Sequence, residues 1–542
     1  MGLSIASGGA RRIDAGQLQV QLADGAEIAV LDVRELGAFT RKHLLLAVNV
    51  PLWRLELLID ALVPRRDTRI VLTDLDESLA PDAAEKLARL GYTNLSVLAG
   101  GTLDWEQSGR QVYTGSNVPS KAFGELIEHQ LGTPHIDADE LDAKLKRGEN
   151  LVVVDSRTPE EFHNFSLPGA HSLPGAELVY RIAELAPDPE TLVVVNCAGR
   201  TRSILGAQTL INAGIPNRVV SLKDGTMAWL LSGRQLEHGR SYPLPEPSPR
   251  HLDAARERAA RVASAAGVRT ITTGELADFA ADARRTLYRF DVRTLAEYRA
   301  GHLPGWRWAP GGQLVQATDE YAGTRRARIV LADWDGVRAR TTAAWLAQLG
   351  GHDVYLYTPP AGASVETGDE LRRVLRTEDP QAPWIEPPAA ARLLREGRGV
   401  IFDVDDSLAF ARRQIRGARF AVADRIHEFI DDLPTGVQIV FTSEDGVLAR
   451  AVASNFAQAH DRPTRALLGG NQGWVASGLP TESGRDAILT GDDDAWYSPY
   501  AYQDEAERNR HFRDYLQWEL DLVGQLQREG DIGVRLVRPS GA

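Results

Sequence analysis

Cys197 lies in the stretch VVVNCAGRTRS (193–203) and is the single cysteine of 542 residues. A lone cysteine excludes an intrachain disulfide and a cysteine-based zinc cluster. It leaves nucleophilic chemistry, in which the thiolate and not the thiol attacks. A free cysteine is more often an inert small hydrophobe in a core, so its neighbours must decide. They favour an anion. An apolar run ends at the cysteine, and Ala198, Gly199, Arg200, Thr201, Arg202 and Ser203 lead into a helix expected to begin near Ser203. The backbone N–H groups of such a loop and the positive end of a helix both stabilise negative charge. Gly199 relaxes the backbone where the loop must curl. Arg200 and Arg202 add positive charge, which is expected to depress the thiol pKa and to offer donors to an anionic substrate.

The elements that must hold this loop recur along the chain. Four stretches share a short apolar run ending in Asp: 28–51, 151–174, 288–310 and 400–422, with Asp32, Asp155, Asp291 and Asp403 at the ends of the runs. After each comes a second apolar run, RIVLTD, LVVVNC, RIVLAD and QIVFTS, and then an Ala-rich helical pattern. Three copies close on a Gly-turn with Trp (98–109, 222–233, 468–478), which the third replaces with LYTPPAGAS. Continuous apolar strands alternating with amphipathic helices predict parallel sheets covered on both faces. Length agrees: at roughly 150 residues per domain the chain divides into three or four. Arg157, just past the first strand of its copy, is expected at the same C-terminal sheet edge as Cys197, where open α/β sheets bind ligands.

The D-x-R start, the GHLPG stretch (301–305) and the closing G-x3-W-x3-G together resemble the rhodanese family of sulfurtransferases. The resemblance implies an α/β chain of four tandem rhodanese-like (Cdc25-like) parallel-sheet modules. They run over 10–115, 133–238, 268–365 and 378–482, with a partly helical C-terminal tail at 483–542. Aligned second strands place Asp74, Cys197, Asp333 and Ser443 at one position. Aspartate and serine form no persulfide, so the second module is expected to be catalytic and the others inactive.

The implied reaction is double displacement through a Cys197 persulfide, from thiosulfate or another sulfane-sulfur donor to cyanide, a thiol or a protein acceptor. Cys197 is then catalytic, and Arg157, Arg200 and Arg202 bind substrate. Arg157 takes that role from the family's D-S-R arginine, the alternative being a brace with Asp155 or Glu161. The loop backbone of Ala198, Gly199, Thr201 and Ser203 cradles the sulfur. No metal and no cofactor is required. Loop length separates this from a phosphatase reading: phosphatases of the fold use Cys-x5-Arg, whereas Arg202 follows at Cys-x4-Arg. Three unarmed modules leave open a sulfur-relay or protein-docking role with weak small-molecule turnover. Ala198 and Gly199 with two arginines suit a more charged donor than mercaptopyruvate.

Net charge is −13, which argues against nucleic-acid and anionic-membrane binding. The start MGLSIASGGARRIDAG lacks the apolar core of a signal peptide, and no run approaches about 18 apolar residues. A cytoplasmic location is expected. The aromatic run WYSPYAY (496–502) reads as an anchor for the tail, and GDDD (491–494) as a solvated turn.

Overall fold

The computed structural model describes residues 10–538 apart from 372, 377–380, 431–432, 435, 461, 463, 492 and 531. The N-terminal stretch 1–9, the expected start of the fourth module at 378–380, Asp492 of the GDDD run and the last four residues therefore lie outside the described residues.

Strands and helices alternate as the apolar periodicity predicts. The chain divides into two units. One contains the described residues of 1–24, 29–116 and 372–497; the other contains 25–28, 117–371 and those after 497.

The first unit carries two five-stranded sheets. The first consists of β1 (Arg11–Ile13), β2 (Ala29–Asp32), β3 (Ala47–Asn49), β4 (Ile70–Thr73) and β5 (Leu95–Leu98), in spatial order β1-β5-β4-β2-β3. In the second unit, β6 (His135–Ile136), β7 (Leu151–Asp155), β8 (His171–Ser172), β9 (Leu192–Asn196) and β10 (Val219–Leu222) repeat the pattern as β6-β10-β9-β7-β8. There too, β11 (Arg269–Ile271), β12 (Leu287–Asp291), β13 (Arg307–Trp308), β14 (Arg328–Ala332) and β15 (Asp353–Tyr357) run β11-β15-β14-β12-β13. Back in the first unit lie β16 (Trp384–Ile385), β17 (Gly399–Asp403), β18 (Gln414–Ile415), β19 (Arg419–Phe420), β20 (Gln438–Thr442), β21 (Thr464–Leu467) and β22 (Thr481–Glu482). Its second sheet is β16-β21-β20-β17-β19, and β18 pairs antiparallel with β22. The pairings inside all four five-stranded sheets are parallel. The fold is thus a mixed α/β chain of repeated parallel sheets.

The central strand of the second sheet shows why the pattern is so apolar. Val193, Val194 and Val195 of β9 are fully buried, with helices on both faces. One face packs on Leu178, Ile182, Ala207 and Leu210, the other on Ile136, Leu141 and Trp229. The chain leaves β9 at the C-terminal edge of the sheet and turns into helix Thr201–Ala213, which ends on Gly214 in the left-handed region at φ 66°. The helix begins two residues before the expected Ser203. No helix among the described residues is long and apolar enough to cross a membrane.

The segment after residue 482 divides between the two units. Within the second unit, Pro499–Ala501 forms one 3-10 turn, and helix Glu505–Glu529 is capped at its start by Asp504 accepting from the Glu507 N–H at 2.8 Å. Phe512, Leu516, Leu522 and Leu526 form the buried stripe of that helix.

Candidate active site

The four aligned positions each follow directly on a central strand: Asp74 after β4, Cys197 after β9, Asp333 after β14 and Ser443 after β20. The loops beyond them share one construction. In the unarmed copies the side chain at this position accepts the backbone N–H six positions on. Ala80 donates to Asp74 at 2.8 Å, Ala339 to Asp333 at 2.8 Å and Ala449 to Ser443 at 3.2 Å. In the second copy the corresponding N–H belongs to Ser203, and it favours charge on Cys197. The loop is a ready-made acceptor cradle, occupied by oxygen in three copies and by sulfur in one.

A glycine turn closes the cradle from the other side. Gly225 sits at φ 53°, and a Cβ there would lie 2.3 Å from the Cys197 carbonyl oxygen. That close approach lets the Thr226 N–H reach Cys197 O at 3.0 Å and the Met227 N–H reach Ala198 O at 3.1 Å. Gly199 is not in the left-handed region, so curling is not why it is glycine. A Cβ there would come within 3.2 Å of Glu519 Oε2 and 3.4 Å of the Tyr515 ring.

Cys197 is buried, at 2% exposure. Burial pushes its thiol above the ordinary cysteine range. The Arg202 charge and Ser203 pull the other way, and Glu519 adds to the rise. Ser203 acts through both its hydroxyl and its backbone N–H, and the hydroxyl also lies 2.8 Å from Arg200 O as a donor. The sequence led us to expect a depressed thiol. Desolvation overturns that, because sequence shows the arginines and not the depth at which the sulfur lies.

The arginines are already engaged. Arg200 is buried; its Nε and Nη2 donate to Glu125 at 2.7 and 2.8 Å, its Nη1 to Asp224 at 2.7 Å, and Nη2 also meets Glu128. Its charge is neutralised locally, so it adds little to the anion-binding field of the loop. Arg202 donates from both terminal nitrogens to Glu161, at 2.6 and 2.7 Å. Glu161 is held down at about 2: burial opposes its ionisation, and the Arg202 charge overcomes it. Arg338 makes the same pair with Glu297 in the third copy, at 2.7 Å. Of the three arginines considered, Arg202 is the one whose charge acts on Cys197.

Arg157 is fully buried and braces its own loop. Its Nε and Nη2 grip Asp155 at 2.9 and 2.8 Å, and Nη2 donates to Phe165 O at 2.6 Å. Arg34 with Asp32 and Arg293 with Asp291 repeat the brace in copies that lack a cysteine. The repetition marks it as structural. One donor of Arg157, Nη1, is buried without a hydrogen-bond partner among the described residues.

Three tail residues complete the surroundings, and sequence reasoning did not place them there. The Tyr500 hydroxyl donates to Ala198 O at 2.8 Å and meets Thr226 Oγ1 at 2.6 Å, while its ring stacks on Phe165 with centroids 4.6 Å apart. Glu519 Oε1 accepts from Thr201 Oγ1 at 3.2 Å and from the Tyr515 hydroxyl at 3.3 Å. The anchor expected from WYSPYAY therefore lands on the cysteine loop itself. A signal for Glu519 existed: it falls in phase with Leu516 and Leu522 on the apolar stripe.

Fold and site together define a class: repeated parallel α/β modules whose strand–loop–helix turns present an anion cradle at the C-terminal sheet edge. A family model described as a rhodanese-like domain matches residues 14–108, 137–232 and 272–358. The chain belongs to the rhodanese family and is an enzyme of the sulfurtransferase type. A solved thiosulfate sulfurtransferase from Pseudomonas aeruginosa is 42% identical with a TM-score of 0.91, covering 97% of this chain and 100% of that one. A sulfurtransferase of Allochromatium vinosum is 33% identical over 98 residues, 18% of this chain and 89% of its own. A thiosulfate sulfurtransferase of Actinobacillus succinogenes is 25% identical over 99 residues, again 18% of this chain and 89% of its own.

Proposed function

We propose that this enzyme moves sulfane sulfur from thiosulfate, or a donor of the same chemistry, to cyanide or a thiol through a persulfide on Cys197. The observation that carries the reading is the cradle: a thiol stands where three sister loops hold an oxygen acceptor against the same backbone N–H. The modules at 10–115, 268–365 and 378–482 are then inactive partners of the catalytic module at 133–238, and the fourth sheet, with its matching strand order, is a further rhodanese-like module.

In the first half-reaction Cys197 Sγ, as thiolate, attacks the outer sulfur of thiosulfate. A Cys197–sulfur bond forms, the donor S–S bond breaks, and its electron pair leaves on sulfite. Arg202 supplies the charge that offsets desolvation of the thiolate. The free Nη1 of Arg157 is the donor available to the oxyanion end. Arg200 holds the helix Val118–Leu131 against the loop and does not touch substrate. In the second half-reaction the acceptor takes the outer sulfur and Cys197 is regenerated.

The test is intact-mass spectrometry after incubation with thiosulfate. The wild type should gain one sulfur on the peptide holding Cys197, and Cys197→Ser should gain none and turn over no thiosulfate. Retained turnover in that variant would remove the persulfide from the mechanism.

A further inference from the structure

The tail brings a carboxyl group to the thiol loop that the half-reaction above does not use. Glu519 is fully buried, and its Oε1 is held by Thr201 and Tyr515 at 3.2 and 3.3 Å. Oε2 has no hydrogen-bond partner among the described residues. It lies 3.2 Å from the point a Cβ on Gly199 would occupy, so the missing side chain of that loop residue keeps its approach open. A buried carboxylate oxygen without a partner is costly and calls for a reason.

We propose that Glu519 is the general base of the second half-reaction, its Oε2 taking the proton of a thiol acceptor as that sulfur attacks the Cys197 persulfide. The inference rests on the persulfide reading above. The S–H bond of the acceptor breaks and its proton passes to Glu519. The sulfur's electron pair forms a bond to the outer sulfur of the persulfide. The bond from that sulfur to Cys197 Sγ breaks, and its pair stays on Cys197 as thiolate. The acceptor leaves as a persulfide anion, the outer sulfur carrying the negative charge it brought from thiosulfate, and Glu519 returns its proton to solvent.

The surroundings suit a base working near neutrality. Glu519 faces Lys121 and Glu125 on helix Val118–Leu131, Arg200 and Thr201 at the start of helix Thr201–Ala213, Cys197 in the loop, and Tyr515 on its own helix. Burial pushes its carboxyl up to about 7, with Glu125 adding to the rise and Lys121 opposing it. A base whose pKa lies near the operating pH combines availability with proton affinity.

The experiment uses the full chain, loaded with thiosulfate, and follows loss of the extra sulfur in a single turnover. Two acceptors are compared in alkaline buffer: 2-mercaptoethanol, which brings a proton, and sulfite, which arrives as an anion. Glu519→Gln should load, and pass sulfur to sulfite, no slower than the wild type, because losing its charge relieves part of the rise it imposes on Cys197. Its transfer to 2-mercaptoethanol should fall about 100-fold. The wild-type thiol rate should rise with pH as Glu519 loses its proton, and that limb should be missing in Glu519→Gln. Equal losses with both acceptors, or no loss with the thiol, would overturn the proposal. If Glu519→Gln fails to load, Glu519→Asp takes its place: recovery of thiol transfer supports the base, and loading without thiol transfer overturns it. A wild-type protein that never gains sulfur brings down the persulfide reading and this one with it; normal loading with an unaffected Glu519→Gln brings down this one alone.

Discussion

At Cys197 two opposed effects meet. Burial disfavours the thiolate, while Arg202 and the Ser203 N–H favour it, and burial prevails. The sign follows for the free enzyme. The thiol stays protonated through the pH near 8.5 at which an ordinary cysteine ionises, and the thiolate appears only above it. Ultraviolet absorbance of the thiolate, followed against pH in the wild type with Cys197→Ser as blank, should show that alkaline displacement. Arg202→Met should move it further up, because the removed charge opposes the rise. A midpoint below the ordinary range would contradict the burial argument. The arginine brace makes a related point. Because Arg34 and Arg293 repeat what Arg157 does, the grip on Asp155 belongs to the fold, and among the described residues only Nη1 of its guanidinium has no hydrogen-bond partner.

At the scale of elements, the tail helix packs beside the thiol loop. Phe512 is fully buried among Met227, Leu516 and Tyr500, with its ring 4.8 Å from that of Tyr500. Tyr500 in turn lies on the Cys197 loop through Ala198 and Thr226. Removing a buried Phe side chain costs about 3–5 kcal/mol. Phe512→Ala should therefore loosen the tail locally and speed alkylation of Cys197 by iodoacetamide several-fold, read by mass spectrometry. An unchanged rate would show that the tail does not guard the sulfur. The helix Thr201–Ala213 plays the complementary part: it directs its first N–H groups to the loop while Ala207 and Leu210 anchor it on β9.

Across the whole molecule, one strand order occurs in four five-stranded sheets, and one of the four aligned loop positions holds a cysteine. The third copy shows what separates it from the second. Its loop N–H groups are already taken: Val337 and Arg338 donate to Asp335 at 2.8 and 3.0 Å. Arg338 is locked against Glu177, Glu297 and Asp335. Placing a cysteine there should not arm it. The double variant Cys197→Ser, Asp333→Cys should gain no sulfur from thiosulfate, measured by intact mass. Gain of one sulfur would show that the residue at this position, and not its loop, determines activity.

The repeat, the parallel sheets and the four strand-end positions were legible in the sequence because they rest on local apolar patterning, which the helices and strands of any such sheet must obey. Cys197 and its loop were legible for the same reason: they lie within a few residues of one strand. The tail's contribution was not, because Tyr500, Tyr515 and Glu519 are some 300 positions away and local pattern says nothing of where a distant helix docks. Burial was hidden too. Sequence shows how many charges flank the cysteine, but desolvation and pairing depend on what packs over them, and only the tertiary structure decided that Arg200 is neutralised by Glu125, Glu128 and Asp224 and that the thiol is pushed up.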